Sequence, residues 1–130
     1  MSFFSGVYTL RNVKDQYIYL RDTGDEDQPV SLNTDESSSG IKFVFERVQD
    51  NIYFIRNIRN DKFIHVKKEE PNEKDVLYQD NSTSEGSQFY VDFGTNGLPL
   101  FSMKNVRSGK YIYSDNDEIY QSSQVELWRY

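Results

Sequence analysis

The sequence predicts an all-β fold, a β-trefoil with twelve short strands in three pseudo-symmetric four-strand repeats. Three observations predict it. One unit recurs three times, roughly every 45 to 48 residues; short apolar runs alternate with turn residues; and no stretch keeps the i, i+3, i+4 apolar spacing of a helix. An aromatic content of 15% with a mean hydropathy of -0.78 agrees, because finely interleaved apolar and polar residues are typical of two-faced strands.

The first two strands of each unit have the clearest signature. The first has an aromatic residue, an apolar residue two places on, then a base, an asparagine, a β-branched residue and another base. These segments are Tyr8–Lys14, Tyr53–Arg59 and Phe101–Arg107. Turn residues follow each one, so each unit is predicted to open with a hairpin. The predicted second strands are Tyr17–Leu20, Phe63–Val66 and Tyr111–Ser114.

The remaining strands follow from shorter runs with period-two alternation, which turn one side inward. The predicted third strands are Val30–Leu32, Val76–Tyr78 and Ile119–Gln121. The predicted fourth strands are Phe43–Phe45, Phe89–Phe93 and Val125–Leu127. The repeats occupy residues 6–48, 51–93 and 98–130 of a single domain spanning 1–130. A closed barrel with a cap explains three copies better than a propeller, because three blades fall below the usual minimum.

Matched positions of the repeats predict the interior. Tyr8, Tyr53 and Phe101 form a candidate layer around the pseudo-threefold axis, as side chains fill small closed barrels. An asparagine precedes the first turn of every repeat, where its amide can hydrogen-bond nearby backbone and stabilise the bend. These residues, predicted to be structural, are Asn12, Asn57 and Asn105.

Charge and composition exclude several classes of function. A net charge of -6 and a pI near 4.7 repel phosphate backbones and anionic headgroups, so neither nucleic acid nor a membrane is an expected partner. The sequence has no cysteine, which excludes disulfides, thiol nucleophiles and thiolate metal sites. No apolar run suits a secretion signal or a membrane span, so a cytoplasmic protein is expected.

The segment Gly6–Val13, with Tyr17–Gly24 and Val30–Leu32 after it, resembles the opening of ricin-B-type β-trefoil domains, especially the small cytosolic mushroom lectins and inhibitors. The resemblance implies sugar binding by an Asp in the second strand, an aromatic platform after the third and a Gln-x-Trp in the fourth. The sequence departs from this pattern in all three repeats. The Asp position holds Tyr19, His65 or Tyr113, the platform position holds Asn33, Gln79 or Ser122, and Gln88–Tyr90 and Gln124–Trp128 are remnants of the Gln-x-Trp.

The predicted function is therefore a non-catalytic lectin that binds glycans or glycoproteins through loop sites on this fold. Aromatic rings can stack on the apolar face of a sugar while Asp, Asn and Gln bind its hydroxyls. The candidate carbohydrate-binding residues are Tyr19, Asp22, Asn33, His65, Tyr113, Asp115, Asn116, Tyr120, Gln121 and Trp128. For Trp128 two interpretations remain open, a residue that closes the barrel and a stacking surface.

A protease inhibitor is the alternative, because mushroom trefoil inhibitors open similarly. The first hairpin turns carry Lys14, Arg59 and Arg107, and a base at such a tip could enter a trypsin-like pocket. For a cysteine protease the candidate is the loop Gly94–Gly97. A growth-factor-like or actin-bundling module is disfavoured, because heparin-dependent behaviour requires a basic patch.

No metal, cofactor or catalytic group is predicted. The acidic stretch Asp22–Asp27 lacks the spacing and the closing Glu of a calcium loop, and Asp115–Glu118 suits a tight hairpin turn. His65, the only histidine, has no partner at the spacing of a catalytic triad or a metal site.

Overall fold

The computed structural model describes residues 6–21, 28–67, 77–93 and 99–130, and every element below lies within them. They contain thirteen β-strands and two 3-10 helices of one turn each, at Ser39–Ile41 and Glu85–Ser87. The strands are β1 Tyr8–Thr9, β2 Tyr17–Tyr19, β3 Gln28–Pro29, β4 Ser31–Asn33, β5 Lys42–Gln49, β6 Ile52–Asn57, β7 Phe63–His65, β8 Tyr78–Asp80, β9 Gln88–Phe93, β10 Leu100–Asn105, β11 Tyr111–Asp115, β12 Glu118–Ser122 and β13 Trp128–Arg129. No helix in the described ranges has the length and apolar character needed to cross a bilayer.

Six strands form a closed antiparallel barrel in the order β1, β5, β6, β9, β10, β13. Arg11, just after β1, closes it against β13: Arg11 and Arg129 exchange two backbone hydrogen bonds of 2.8 Å. The first and fourth strands of each repeat therefore build the barrel wall. Closure removes the open sheet edges that other β proteins have to protect.

The second and third strands of each repeat form hairpins that cap one end of the barrel, namely β2 with β4, β7 with β8, and β11 with β12. The predicted third strand of repeat 1, Val30–Leu32, corresponds to β4, which pairs within its own repeat. Before it lies a strand that the sequence does not predict, β3, which pairs with β8 of repeat 2. This additional strand accounts for thirteen strands instead of the predicted twelve.

The predicted fourth strand of repeat 3, Val125–Leu127, is wrong, because that strand begins at Trp128. The apolar residues of the predicted segment face solvent, Val125 with 56% and Leu127 with 44% of its surface exposed. Between them, the carboxylate of Glu126 accepts the backbone N–H of Ser114 in β11. The alternation therefore marks a segment anchored by one polar side chain rather than a strand.

The predicted aromatic layer is present in the barrel. Phe45 is its centre, with its ring 6.1 Å from both Tyr53 and Phe101 and 6.3 Å from Tyr8, all at the steep angles of edge-on packing. Tyr53 and Phe101 are buried, whereas Tyr8 is half-buried at the barrel end. Three matched positions thus fill one cross-section of the barrel.

The three repeated asparagines are buried and structural, as predicted. In each repeat the side-chain Oδ1 accepts the backbone N–H two residues on, at 3.0 Å, from Lys14, Arg59 and Arg107 respectively. The backbone N–H of Asn12 donates to the carbonyl of Gln16, whereas the backbone N–H of Asn57 donates to the carbonyl of Lys62. The turn of repeat 1 is therefore one residue shorter than that of repeat 2. The first hairpin turns of the three repeats thus share their anchor but differ in length.

Candidate functional site

Two arginines join successive repeats. Arg59 of repeat 2 donates from Nη2 to the carbonyl of Leu20 in repeat 1, at 2.6 Å, and its guanidinium lies 5.3 Å from the ring centre of Tyr19. Arg107 of repeat 3 donates from Nη1 to the carbonyls of Val66 and Lys67 in repeat 2, both at 3.1 Å. We call the contact between repeats 1 and 2 the first junction, and the contact between repeats 2 and 3 the second junction.

These contacts correct the inhibitor prediction for Arg59 and Arg107. Both side chains are half-buried, and their guanidinium groups bind backbone carbonyls inside the chain instead of standing at exposed turn tips. Lys14 at the matched position of repeat 1 is exposed, so its inhibitory role stays a prediction. The loop Gly94–Gly97 lies outside the described residues.

A glycine completes each of these two junctions. The carbonyl of Gly40 accepts the N–H of Leu20 at 3.0 Å and the amide of Asn57 at 2.9 Å. The carbonyl of Gly86 is bound in the same way, by the N–H of Val66 at 2.7 Å and by Asn105 at 2.9 Å. The junctions are therefore closed by arginine, asparagine and glycine acting together.

The third junction, between repeat 3 and repeat 1, is built differently. Lys14 stands at the matched position of the arginines, and the backbone N–H of Ser114 is not bound by a glycine carbonyl in the described part of the chain. Instead, the carboxylate of Glu126 accepts both the N–H and the hydroxyl of Ser114, with Oγ to Oε2 at 2.8 Å. Asn12 then donates to Ser114 Oγ at 3.0 Å and to Gln16 Oε1 at 2.8 Å.

An open polar depression lies at this third junction, and we call it the junction cleft. Its volume is about 70 Å³. It is lined by Asn12, Val13, Lys14, Gln16, Ser114, Asp115, Asn116 and Glu126. Carboxylates, amides and a hydroxyl on one small surface can bind hydroxyl or ammonium groups.

Burial raises the pKa of the Glu126 carboxyl above its usual value, although the hydrogen bonds from the side chain and backbone of Ser114 lower it in part; the charge of Asp115 raises it further. Among the described residues Glu126 forms no ion pair. The same ranges hold no group of three or more His, Asp or Glu that could bind a metal.

The raised pKa predicts that Glu126→Gln makes the protein more stable at neutral pH relative to the parent chain. The folded state binds the Glu126 proton more tightly than the unfolded state, so this contribution to stability is complete below the ordinary value of 4.5 and is lost as the pH rises through the raised pKa. The free energies of unfolding of the two proteins are therefore expected to diverge as the pH rises from acidic to neutral, by less than about 1 kcal/mol because the group is half-exposed. Thermal melts at a series of pH values measure this difference.

Glu118→Gln is the matched control, because it removes a carboxylate at an exposed position of β12. The same divergence in both variants would mean that total charge, and not the environment of Glu126, sets the effect.

No protein-family model matches the chain, and no curated protein is similar to it in sequence. Solved structures are similar in fold. The designed threefold-symmetric protein ThreeFoil has a TM-score of 0.82 at 16% identity, over 96% of this chain and 97% of that one. A Polyporus squamosus lectin bound to the human-type influenza-binding epitope Neu5Aca2-6Galb1-4GlcNAc has a TM-score of 0.79 at 11% identity, over 98% of this chain.

The fold is a β-trefoil. The predicted fold class is thereby confirmed. An exo-beta-1,3-galactanase from Clostridium thermocellum contains the same fold, with a TM-score of 0.81 at 20% identity over 95% of this chain. The chain spans 49% of the lectin chain and 29% of the galactanase chain. Sequence identities this low support a shared fold and nothing further about function.

The β-trefoil places two of the predicted carbohydrate residues, Asp115 and Asn116, in the junction cleft. Tyr113 is half-buried on β11, with its ring 5.7 Å from that of Tyr120. Asp22 lies outside the described residues, as does the whole acidic stretch to Asp27. The cleft thus contains only a part of the predicted set.

Four predicted residues are enclosed in the β-trefoil, which contradicts a direct contact with a glycan. Trp128 has no exposed surface, and its indole N–H donates to the carbonyl of Ile112 at 3.1 Å. His65 is 5% exposed. Tyr120 and Gln121 are buried as well. A ligand could reach these side chains only if the core opened, so Trp128 closes the barrel.

Tyr19 and Asn33 lie away from the junction cleft, in local contacts of their own. Tyr19 packs beside Arg59 at the first junction. The side chain of Asn33 accepts the backbone N–H of Asp35 at 2.8 Å and so stabilises the turn after β4. Both are half-buried, and neither meets Asp115 or Asn116 at the cleft.

The sequence identifies three of the eight residues that line the cleft as functional candidates, Lys14, Asp115 and Asn116. It predicts a structural role for Asn12 and no functional role for the other four. The repeats themselves contain one signal of the site. Lys14 replaces the arginine of the other two copies, and Ser114 replaces an aliphatic residue at the end of the second strand.

Proposed function

We propose that this β-trefoil is a non-catalytic carbohydrate-binding protein with one principal site, the junction cleft, rather than three equivalent sites. The observation that carries the proposal is the break in symmetry at the third junction. The other two junctions are filled by arginine side chains, whereas the third leaves a polar depression with a half-buried carboxylate.

The chemistry of the cleft suits a sugar. Vicinal hydroxyls bind in pairs to carboxylates and side-chain amides, which act as acceptors and as donors. Glu126 and Asp115 offer carboxylates and Asn116 offers a side-chain amide, whereas the amides of Asn12 and Gln16 form hydrogen bonds within the chain and support the cleft. A volume of about 70 Å³ fits the edge of one sugar ring, so a terminal residue of a glycan is the expected ligand.

The solved structures give this proposal its context. One similar β-trefoil is a lectin crystallised with a sialylated epitope, and another belongs to a galactanase. The fold therefore occurs in proteins whose ligands are glycans. Because the identities are low, the argument for this chain depends on its own residues.

A glycan array followed by calorimetry with the best ligand tests the proposal. Asn116→Ala and Asp115→Asn, both at exposed positions, are expected to weaken binding about tenfold or more, because each removes a hydrogen bond or charge that the sugar would use. Asn33→Ala is the matched control, since it removes a predicted amide outside the cleft. The proposal fails if no glycan binds, or if the control weakens binding as much as the cleft variants do.

The same sample titrated against trypsin addresses the inhibitor alternative. Stoichiometric inhibition that Lys14→Ala abolishes, together with a blank glycan array, would replace the carbohydrate proposal. Lys14 is the variant to use because Arg59 and Arg107 are bound to backbone carbonyls within the chain.

A further inference from the structure

The first and second junctions show how this fold binds a cation. At each, a guanidinium from the following repeat reaches the carbonyl at the end of the second strand, that of Leu20 or Val66. Arg107 also binds the next carbonyl, that of Lys67, and the hydroxyl of Ser84 at 2.9 Å. Two of the three junctions thus hold a positive charge over the same backbone position.

The third junction has the same framework without the guanidinium. By its place in the repeat, Ser114 corresponds to Leu20 and Val66, and it lines the junction cleft together with Asp115. Lys14 has the same backbone anchor as the two arginines, but it lies within a shorter turn and its side chain is exposed. The position that arginine holds at the other two junctions is therefore taken by an exposed lysine here, and the junction cleft lies beside it.

The third junction also has a feature that the other two lack, the carboxylate of Glu126. This carboxylate accepts the backbone N–H of Ser114, whereas a glycine carbonyl accepts the corresponding N–H at the other junctions. The cleft contains two carboxylates, Glu126 and Asp115, against one base, Lys14. A neutral ligand would leave the negative charge of the half-buried Glu126 carboxylate uncompensated, whereas a cation would compensate it.

We propose that the junction cleft binds the cationic group of its ligand, the free amine of an amino sugar, where Arg59 and Arg107 place their guanidinium groups at the other junctions. This rests on the proposed carbohydrate function and specifies the class of sugar. An ammonium has three N–H donors, which suits the Glu126 carboxylate and neighbouring carbonyls. Acetylation would remove the positive charge on which this recognition depends.

Calorimetry with glucosamine, N-acetylglucosamine and glucose at near-neutral pH tests the proposal. Glucosamine is expected to bind about tenfold or more tightly than the other two, with an affinity that falls as salt increases. Glu126→Gln is expected to abolish this preference while leaving weak binding of all three sugars. Equal binding of the three sugars by the parent protein would overturn the amino-sugar proposal and leave the carbohydrate function standing.

The internal repeats supply a matched pair of variants. Lys14→Arg is expected to bring a guanidinium into the cleft, as Arg59 does at the first junction, and so to weaken glucosamine binding about tenfold or more. Lys14→Met removes the positive charge that lines the cleft without supplying a guanidinium, and it is expected to strengthen glucosamine binding. Circular dichroism establishes that both variants fold. Loss of binding in Lys14→Met with retention in Lys14→Arg would overturn the proposal.

N-acetyl-arginine amide serves as a cation that is not a sugar. If it binds in a manner that Glu126→Gln abolishes while no sugar binds, the amino-sugar assignment and the carbohydrate function both fail, and the cleft is a site for a peptide arginine. If it binds more weakly than glucosamine, the sugar ring contributes contacts of its own, as proposed.

Discussion

Replacing Trp128 with alanine is expected to lower the free energy of unfolding by about 3–5 kcal/mol, a large share of the total stability of a domain of this size. The indole is fully buried, packs in β13 against β10, and donates to the carbonyl of Ile112. Truncation would leave a cavity in the barrel wall and an unpaired carbonyl beside it. Urea denaturation followed by circular dichroism measures the loss.

Trp128→Phe is the control for this experiment, because it keeps a ring and loses mainly the hydrogen bond, at a cost of about 1–3 kcal/mol. Trp128 is the only tryptophan in the sequence, so its fluorescence reports its own burial. Solvent-exposed emission, with ligand binding lost and stability unchanged in the alanine variant, would restore the stacking role that the structure contradicts.

Replacing Gly86 with alanine is expected to cost about 2–3 kcal/mol, because the added Cβ has no room. It would collide with the carbonyl oxygen of Val66 and lie 2.7 Å from both His65 Cε1 and Arg107 Nη1. That oxygen cannot easily move, since it accepts the guanidinium of Arg107 at 3.1 Å. Thermal and urea denaturation of the variant measure the effect.

Gly109→Asn is the matched control. Gly109 has a φ of +71° but nothing within 4 Å of the added Cβ, and aspartates hold similar φ values in the first turns of the other repeats, at Asp15 and Asp61. Asparagine tolerates this conformation, so a change within about 1 kcal/mol is expected. Equal losses in the two variants would indicate that crowding of the added Cβ at Gly86 does not set the effect.

The fold was predictable because its signals repeat. Three copies of one aromatic and asparagine pattern identify the layer around Phe45 and the buried Asn turns, and each copy supports the others. The errors fall where one repeat departs from the rest. Repeat 1 has an additional strand, β3, that pairs with repeat 2, and in repeat 3 the side chain of Glu126 anchors a segment that alternation predicts to be a strand. Such departures depend on contacts between repeats, which local alternation cannot reveal.

The candidate site was less predictable for the same reason. Their chemistry marks Asp115 and Asn116 as candidates, but they lie beside Asn12 and Glu126 only because the barrel brings repeat 1 and repeat 3 together. Trp128 and Gln121 have the chemistry of sugar-binding residues and are buried. Residue type alone cannot separate a polar ligand site from a polar core that is satisfied internally.

The pairing of Arg11 with Arg129 has a consequence for the order in which the protein folds. The two residues lie at opposite ends of the described chain, and contacts so distant in sequence pay the largest chain entropy before they yield any stabilisation. The hairpins within each repeat are local, so we expect them to form earlier than this closing contact. The junction cleft has walls from both repeat 1 and repeat 3 and therefore exists only after closure. A ligand bound there would stabilise the contact between repeats 1 and 3, which we expect to be the last to form and the first to open.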